Sequence, residues 1–216
     1  MKPVRFLTHG KVNLFLRVMG RRADGYHEIE TILQVIDLSD EIEIIQTNDG
    51  RTEIEMTSKD GMVGEFPPME ENLVFRAVGS LVDGGASNGG LKVTVKKGVP
   101  IGAGLGGGSG NAAGALVILN ELWQTGHDKN EILELAAALG SDVPYCVDGG
   151  TALATARGEK LTSLPSPGQL WFVLGLSEDP LSTAKVYDAW DSLDENSETS
   201  SAPMTMAIGA GEVTEI

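Results

Sequence analysis

Hydrophobic and polar residues alternate along several short stretches of the first hundred residues, which is the pattern of half-buried β-strands. Residues 11–18 have an apolar and a more polar face: Val12, Leu14, Leu16 and Val18 against Lys11, Asn13, Phe15 and Arg17. Further strands are predicted at four ranges: Ile29–Ile36, Glu41–Gln46, Thr52–Thr57 and Leu91–Lys97. The polar residues 37–40 are expected to join the first two of these ranges as a connection between separate strands.

Helical periodicity follows later in the chain. Helices are predicted at Asn72–Val82, ended by two glycines, and from about Ser109 to Trp123. Asp128 and Glu131 have the spacing of a capping box, which begins a third helix. Its apolar stripe consists of Ile132, Leu135, Ala136 and Leu139, and Gly140 ends it.

The last third of the chain is predicted to mix both kinds of element. Strands are expected at Gly149–Arg157 and Leu170–Leu176, a helix at Thr183–Leu193, a polar loop at Asp194–Met204 and the start of a helix at Met206–Ile216. Antiparallel-looking strands with helices grouped after them favour an α+β fold over a doubly wound parallel sheet.

Composition and charge narrow the classes of partner. Of the 216 residues, 41% are hydrophobic and 22% charged, and the formal net charge of −15 opposes binding to nucleic acid or anionic membranes. The sequence has neither a long apolar run nor a signal-peptide core, so we expect a cytoplasmic protein. Cys146, the single cysteine, is expected to be a buried structural thiol. His9 and His127 lack metal-ligand spacing, so we expect no structural metal.

A glycine-rich segment between a predicted strand and a predicted helix carries the main chemical signal. It reads Pro100-Ile101-Gly102-Ala103-Gly104-Leu105-Gly106-Gly107-Gly108-Ser109. Glycine lets the backbone approach a ligand closely, and the start of a helix directs N–H groups and the positive end of its dipole to one point. These are the properties of a phosphate site, and a flexible or tightly packed turn is the alternative.

Other nucleotide-binding patterns fit the segment less well. The Walker loop ends in Gly-Lys-Ser/Thr, which is missing here. Gly102, Gly104 and Gly107 match the dinucleotide fingerprint, but a second helix follows where a βαβ unit needs a strand. The protein-kinase motifs His-Arg-Asp and Asp-Phe-Gly do not follow. A dinucleotide-dependent oxidoreductase is therefore a remote alternative.

The glycine segment resembles the phosphate loop of the GHMP kinases (galactose, homoserine, mevalonate and phosphomevalonate kinases). Two further segments resemble the members that phosphorylate a cytidine diphosphate ester of methylerythritol: Lys11–Leu16 followed by Arg22–His27, and Gly140–Pro144. The resemblance implies an α+β N-terminal domain at residues 1–162, of the ribosomal protein S5 domain 2-like type. It also implies the start of a ferredoxin-like C-terminal domain at residues 163–216.

The resemblance implies an ATP- and Mg²⁺-dependent kinase acting on the 2-hydroxyl of this small-molecule substrate, a step of the non-mevalonate isoprenoid pathway. Another GHMP-type kinase with a different alcohol substrate, or a nucleotide-binding protein without activity, is the alternative. Because members of the family continue beyond residue 216, we expect an incomplete C-terminal domain with exposed apolar surface. A homodimer is the expected assembly.

By resemblance, Asp142 is the base that takes the proton of the substrate hydroxyl, and Lys11 is expected beside it and beside the transferred phosphate. Asn13 lies on the same strand face as Lys11 and is expected to hydrogen-bond the diol of the substrate. A turn is predicted at Asp142–Pro144, so the alternative for Asp142 is a turn or helix-capping aspartate. The alternative for Lys11 is a solvated strand lysine, and for Asn13 an edge-strand polar residue.

Substrate and ATP contacts are also implied by the resemblance. Tyr26 and His27 would hold the cytosine and Tyr187 would cover its other face, the alternative for the first two being a half-buried strand start. The ATP-binding residues would be Asn72, Lys97, Pro100, Gly102, Gly104, Gly106, Gly107, Gly108 and Ser109. Asn72 is equally suited to cap a helix. The position after Ser109 is commonly a second serine in the family but is Gly110 here, so no hydroxyl is available there.

Overall fold

The computed structural model describes residues 2–59, 65–84, 89–176, 183–193, 199–212, 214 and 216. Its strands are β1 (Val4–Arg21), β2 (His27–Gln46), β3 (Thr52–Ser58), β4 (Leu91–Lys97), β5 (Thr151–Ala156) and β6 (Lys160–Leu164). Its helices are α1 (Leu73–Asp83), α2 (Gly107–Trp123), α3 (Lys129–Leu139), α4 (Val143–Asp148), α5 (Thr183–Asp191) and α6 (Ala202–Ala210). A short 3-10 helix lies at Met69–Glu71.

The chain forms two compact units that alternate along the sequence. The first unit comprises Met1–Gly10, Ile36–Ile101 and Leu105–Val147. The second unit comprises Lys11–Val35, Gly102–Gly104 and Asp148–Ile216. Strands β1 and β2 therefore each contribute residues to both units. The single boundary at residue 162 that the sequence suggests stays a prediction.

The first unit is a sheet covered by helices. Strand β3 runs parallel to β4, and β4 runs antiparallel to Glu41–Gln46 of β2. In β4, Leu91, Val93 and Val95 are buried while the intervening residues are more exposed, as the alternation predicts. These side chains form one core with the apolar faces of α1, α2 and α3. Burying each such side chain fully contributes about 1.5–3 kcal/mol, so this core is the main source of stability in the unit.

Strand β2 is continuous, and the predicted interruption at residues 37–40 is wrong. Asp40 lies inside the strand and is fully buried. Its carboxylate accepts hydrogen bonds from the backbone N–H groups of Gly98 and Val99 and pairs with Lys97. Because these partners satisfy the charge, a polar residue at this position does not end the strand.

The helix ends in the first unit follow the capping residues in the sequence. Asn72 precedes α1, and its Oδ1 accepts a hydrogen bond from the N–H of Val74 at 2.9 Å. The predicted capping box of α3 is confirmed, since the side chains of Asp128 and Glu131 each accept a hydrogen bond from the other's backbone N–H. Gly140 follows the end of α3, also as predicted.

The second unit contains antiparallel strand pairs, and β1 also pairs with β2. Strand β5 pairs with Ile29–Gln34 of β2, and the unpredicted β6 pairs with β5. The predicted strand at Leu170–Leu176 is wrong, because residues 165–176 have no regular secondary structure. Trp171 and Val173 are 87% and 102% exposed, and none of the described strands pairs with this segment.

Helix α6 corrects the prediction for the end of the chain. The predicted polar loop Asp194–Met204 lies partly outside the described residues, but residues 202–204 are helical. A helix was expected only from Met206 onwards. The helix begins earlier because Pro203 falls in its first turn, where a proline has no N–H to leave unsatisfied. None of the helices described above is both long and apolar enough to span a bilayer.

Candidate functional site

The glycine-rich segment forms a loop between β4 and α2 whose backbone only glycine adopts easily. Gly102, Gly104 and Gly106 have φ angles of 73°, 71° and 70°, in the left-handed region. A side chain at Gly104 would meet nothing within 4 Å, so its glycine is required by conformation rather than by space. Residues 102–104 of this loop are exposed to solvent.

The first turn of α2 leaves backbone donors available to an anion. Its first intrahelical bond joins the N–H of Gly110 to the carbonyl of Gly106 at 2.8 Å, so the preceding N–H groups have no carbonyl one turn earlier in the helix. Gly108 is exposed, and a Cβ there would approach only Leu73 Cδ1, at 3.8 Å. The positive end of the helix dipole adds to these donors. The predicted start of α2 at Ser109 is two residues late.

Helix α2 packs closely against the first residues of β1. A Cβ at Gly110 would lie 3.0 Å from the carbonyl oxygen of His9, and one at Gly114 would lie 2.7 Å from Phe6 and Thr8. The Thr8 hydroxyl donates to Asn111 Oδ1 at 2.7 Å in the buried contact. Gly110, noted above as a departure from the resembling family, thus has a packing reason in this chain.

Asn72 and Lys97, both expected near ATP, are buried and hydrogen-bonded within the protein. Asn72 caps α1 and also donates its amide to Met56 Sδ at 3.1 Å, so the capping alternative is confirmed. The Lys97 ammonium pairs with the carboxylate of Asp40. Their ATP-binding roles stay predictions. Asp40 was missed by sequence reasoning, which treated its acidic neighbourhood as a connection between strands.

Asp142 lies in a turn directly before the short helix α4. The predicted turn holds for Asp142, but Val143 and Pro144 already belong to the helix. Tyr145, one turn along, is almost fully buried, and this burial raises the pKa of its phenol. The negative charge of Asp142 raises that pKa further. The catalytic role of Asp142 stays a prediction.

In the second unit, Lys11 and Asn13 lie on one face of β1, as the alternation predicts. Lys11 Nζ donates to Asn13 Oδ1 at 2.9 Å, and Asn13 Nδ2 donates to Thr31 Oγ1 at 2.7 Å. The Thr31 hydroxyl in turn donates to the Phe15 carbonyl at 2.6 Å. Lys11 is buried, so the solvated-lysine alternative is wrong. This chain of bonds fixes the amide orientation of Asn13, with its oxygen towards the cation.

Tyr26 is presented by a tight turn between β1 and β2. The carboxylate of Asp24 accepts a hydrogen bond from the Tyr26 N–H at 3.1 Å. Partial desolvation opposes ionisation, but the Tyr26 N–H and the Arg22 guanidinium together hold the pKa of Asp24 below its ordinary value. The Tyr26 ring is 54% exposed, and the guanidinium carbon of Arg157 lies 4.9 Å from its centroid. One face of an exposed aromatic ring is thus fixed by a cation.

His27 lies in an aromatic cluster with helix α5. Its ring stacks on Tyr187 with centroids 4.7 Å apart, and Trp190 meets it edge-on at 6.0 Å. Asp191 Oδ1 lies 2.8 Å from Nε2 of the imidazole. The structure thus places His27 and Tyr187 in direct contact, and their roles at the cytosine stay predictions. Trp190 and Asp191 were missed, although their spacing of three and four residues from Tyr187 places them on the same helix face.

Comparison with known proteins agrees with this geometry. Residues 72–150 match the family model described as the GHMP kinases N terminal domain. A 4-diphosphocytidyl-2-C-methyl-D-erythritol kinase of Pelotomaculum thermopropionicum is 41% identical over 210 residues, covering 97% of this chain and 71% of the relative. One from a Geobacillus species is 44% identical over 177 residues, covering 82% and 60%. The chain belongs to the 4-diphosphocytidyl-2-C-methyl-D-erythritol kinase family.

Solved structures give the same answer for the fold. A crystal structure of 4-(cytidine 5'-diphospho)-2C-methyl-D-erythritol kinase matches with a TM-score of 0.71 and 29% identity, over 96% of this chain and 72% of that one. The Methanococcus jannaschii mevalonate kinase matches with a TM-score of 0.62 at 16% identity, which shows the fold alone. The predicted α+β fold of the GHMP kinase type is confirmed. The chain spans 60% of the Geobacillus relative and 55% of one from a Nostoc species.

Proposed function

We propose that this chain transfers the γ-phosphoryl group of ATP to the 2-hydroxyl of 4-diphosphocytidyl-2-C-methyl-D-erythritol. The observation that carries the proposal is the glycine loop that opens helix α2, in a chain 41% identical over nearly its whole length to a kinase of that name. Another GHMP-type kinase would use the same loop. The assignment of the substrate therefore depends on the residues of the second unit and on the similarity to the relatives.

The loop has the properties that a triphosphate requires. Its three left-handed glycines and the exposed backbone at Gly108 allow close approach of phosphate oxygens to N–H donors. The described residues contain no group of three or more His, Cys, Asp or Glu side chains arranged to hold a metal ion. Mg²⁺ commonly binds through substrate phosphates with few protein ligands, so it would arrive with ATP. The Ser109 hydroxyl would be its side-chain ligand, and the ion would offset phosphate charge.

Asp142 is the proposed base. As the substrate oxygen bonds to the γ-phosphorus, the bond from that phosphorus to the β,γ-bridging oxygen of ATP breaks and ADP leaves, and the hydroxyl proton passes to the Asp142 carboxylate. A carboxylate is a weak base towards an alcohol, so its contribution is chiefly to orient the hydroxyl and to take the proton late. Lys11 supplies positive charge for the transfer, and Asn13 contributes hydrogen bonds to the diol.

Tyr26, His27 and Tyr187 are the proposed cytosine-binding residues. An exposed ring held on one face by Arg157 is suited to stacking on a base with the other. His27 supplies a donor or an acceptor at a position that Asp191 and Tyr187 fix. These contacts support a cytidine nucleotide over a plain sugar or alcohol as substrate.

The ATP site is tested by Gly108→Ala. The added methyl has room in the protein, so folding should be unchanged, but it would lie where phosphate oxygens approach the backbone. We expect the dissociation constant for ATP, measured by calorimetry, to rise roughly 10- to 100-fold. Gly79→Ala is the matched control, since Gly79 is a helical glycine in α1 with open space. Equal ATP affinity in Gly108→Ala and the unaltered chain would remove the loop from the site.

The base is tested by Asp142→Asn. We expect turnover to fall by roughly 10²- to 10⁴-fold, with ATP affinity and melting temperature retained. Asp148→Asn, at the exposed end of the same short helix, should keep its activity. Full turnover in Asp142→Asn would assign the aspartate to a structural role.

The substrate is tested by competition. Cytidine diphosphate should compete with the methylerythritol substrate and not with ATP. If uridine or adenosine diphosphate competes with that substrate equally well, a different alcohol substrate replaces the one proposed. ATP binding without any phosphorylation would instead make the chain a nucleotide-binding protein.

A further inference from the structure

The buried carboxylate of Asp40 links the middle of β2 to the residues that lead into the glycine loop. Its Oδ1 accepts hydrogen bonds from the N–H groups of Gly98 and Val99, at 2.7 and 2.8 Å. Its Oδ2 pairs with the ammonium of Lys97. Three consecutive residues at the end of β4 are therefore held by one side chain, directly before Pro100.

Two of the same residues also contact the first residue of α2. A Cβ at Gly107 would lie 2.8 Å from Lys97 Nζ and 2.9 Å from Val99 Cβ. Gly107 is buried, so its backbone rests against these two side chains. The residues anchored by Asp40 thus lead into the loop and also pack against Gly107, the residue that follows it.

The burial of this pair is difficult to explain by stability alone. Asp40 is fully buried and Lys97 is 4% exposed, and an ion pair this deep is often no more stable than apolar side chains of similar volume. What the charges provide is direction, because a carboxylate accepting several hydrogen bonds holds its donors in one arrangement.

Lys97 is expected near ATP by resemblance, but its ammonium is already held by Asp40. Its small exposure leaves little of the side chain for a ligand. An indirect role, in which Lys97 supports the loop by packing against Gly107, is consistent with both facts.

We propose that Asp40 is a positioning residue that holds both ends of the glycine loop for the phosphates of ATP, and that Lys97 acts through it. The inference rests on the proposed function, because it concerns the loop assigned there to ATP. Asp40 itself touches neither ATP nor the reacting atoms. A loop displaced by about 1 Å can lose roughly 100-fold in rate, which makes such an anchor measurable.

The test compares ATP affinity and kinetics in Asp40→Ala with those in Asp40→Asn/Lys97→Gln. The first variant removes every anchor. The second replaces both charges by neutral amides, so that the new carboxamide in β2 still accepts from the two backbone N–H groups and donates to the amide oxygen that replaces the ammonium. We expect Asp40→Ala to raise the dissociation constant and KM for ATP roughly 10- to 100-fold, with KM for the cytidine substrate within about twofold. The double variant should recover affinity to within about threefold of the unaltered chain.

A purely structural role is tested with Leu81→Ala, which opens a cavity in the hydrophobic core of the first unit. It should lower the melting temperature yet leave the ATP dissociation constant within about twofold. If Asp40→Ala does not fold, Asp40→Asn takes its place. The new side chain sets an amide N–H₂ group against the Lys97 ammonium, so this variant should bind ATP weakly.

Three results in the variants would overturn the inference. Unchanged ATP affinity in Asp40→Ala or Asp40→Asn would show that the anchor does not position the loop. An equal loss in Leu81→Ala would show that any destabilisation has the same effect. A double variant whose affinity for ATP stays low would show that Lys97 contacts the nucleotide directly. Absence of ATP binding in the unaltered chain overturns the proposed function as well, whereas binding that is insensitive to Asp40 overturns this inference alone.

Discussion

Glycines in the same loop meet different physical requirements. Gly102, Gly104 and Gly106 are needed because their backbone is left-handed. Gly107 is needed because Lys97 and Val99 occupy the space of a side chain. Gly108 is constrained by neither, which is why its exposed backbone is the natural place for a ligand. The sequence shows only that glycines are frequent here, and the distinction between them requires coordinates.

Gly107→Ala should therefore destabilise the protein. The new methyl must displace the buried Lys97 ammonium or Val99, and overpacking of this kind costs about 1–3 kcal/mol. Gly79→Ala in α1 should raise stability by about 0.5–1 kcal/mol, because alanine has the higher helix propensity and finds open space. Urea unfolding measures both free energies. A Gly107→Ala protein as stable as the unaltered chain would contradict the packing described.

At the scale of elements, capping residues in the sequence predict helix ends reliably when their hydrogen-bond partners lie within the same turn. Helix α3 has a complete capping box, with Asp128 accepting from the N–H groups of Asn130 and Glu131 at 2.8 and 3.0 Å. Its boundaries agree with the sequence prediction at both ends, because cap and stop lie within a few residues of one another.

Asp128→Ala should cost about 1 kcal/mol of unfolding free energy, since it leaves first-turn N–H groups without their acceptor. Kinetic parameters should not change. Thermal denaturation and steady-state assays of the same preparation check both. A variant with unaltered melting temperature would show that α3 is held by packing alone.

Elements whose bounds depend on distant residues were predicted less well. The continuity of β2 depends on Asp40 finding donors in residues 97–99, far along the chain. Strand β6 exists because β5 lies beside it, and the apolar Leu170–Leu176 is not a strand because no described strand pairs with it. Likewise, the shared face of Lys11 and Asn13 follows from local alternation, whereas the contact of His27 with Asp191 joins positions 164 residues apart.

Helix α5 should contribute to substrate affinity through Asp191. Asp191→Ala removes the acceptor at 2.8 Å from the His27 imidazole, so the ring loses its fixed orientation. We expect KM for the cytidine substrate to rise roughly threefold to tenfold, with KM for ATP unchanged. Asp188→Ala, exposed on the same helix, is the control. Equal effects from the two variants would mean that the helix, and not the His27 contact, matters.

At the scale of the whole molecule, a set of large apolar side chains is exposed in the second unit. The set consists of Trp171, Phe172, Val173, Leu174, Leu176, Val186 and Leu193. The exposed apolar surface that the sequence predicted for this region is therefore confirmed. Exposed apolar side chains of this kind favour association between molecules.

The double variant Trp171→Ser/Val173→Ser should reduce self-association. Both side chains are almost fully exposed, so their replacement should leave the fold intact. Sedimentation velocity over a range of concentrations should show a shift towards monomer, with the circular dichroism spectrum unchanged. Val117→Ser, an exposed apolar residue of α2 in the first unit, should have no such effect. Unchanged association in the double variant would place the contact elsewhere.

The measurement that tests the central claim most directly is detection of the product. The purified chain is incubated with ATP, Mg²⁺ and 4-diphosphocytidyl-2-C-methyl-D-erythritol, and the reaction is followed by phosphorus NMR. A new phosphomonoester signal, coupled to the proposed 2-position and formed in equal amount to ADP, is the predicted result. A folded chain that binds ATP yet forms neither product, or forms ADP at the same rate without the cytidine substrate, would contradict it.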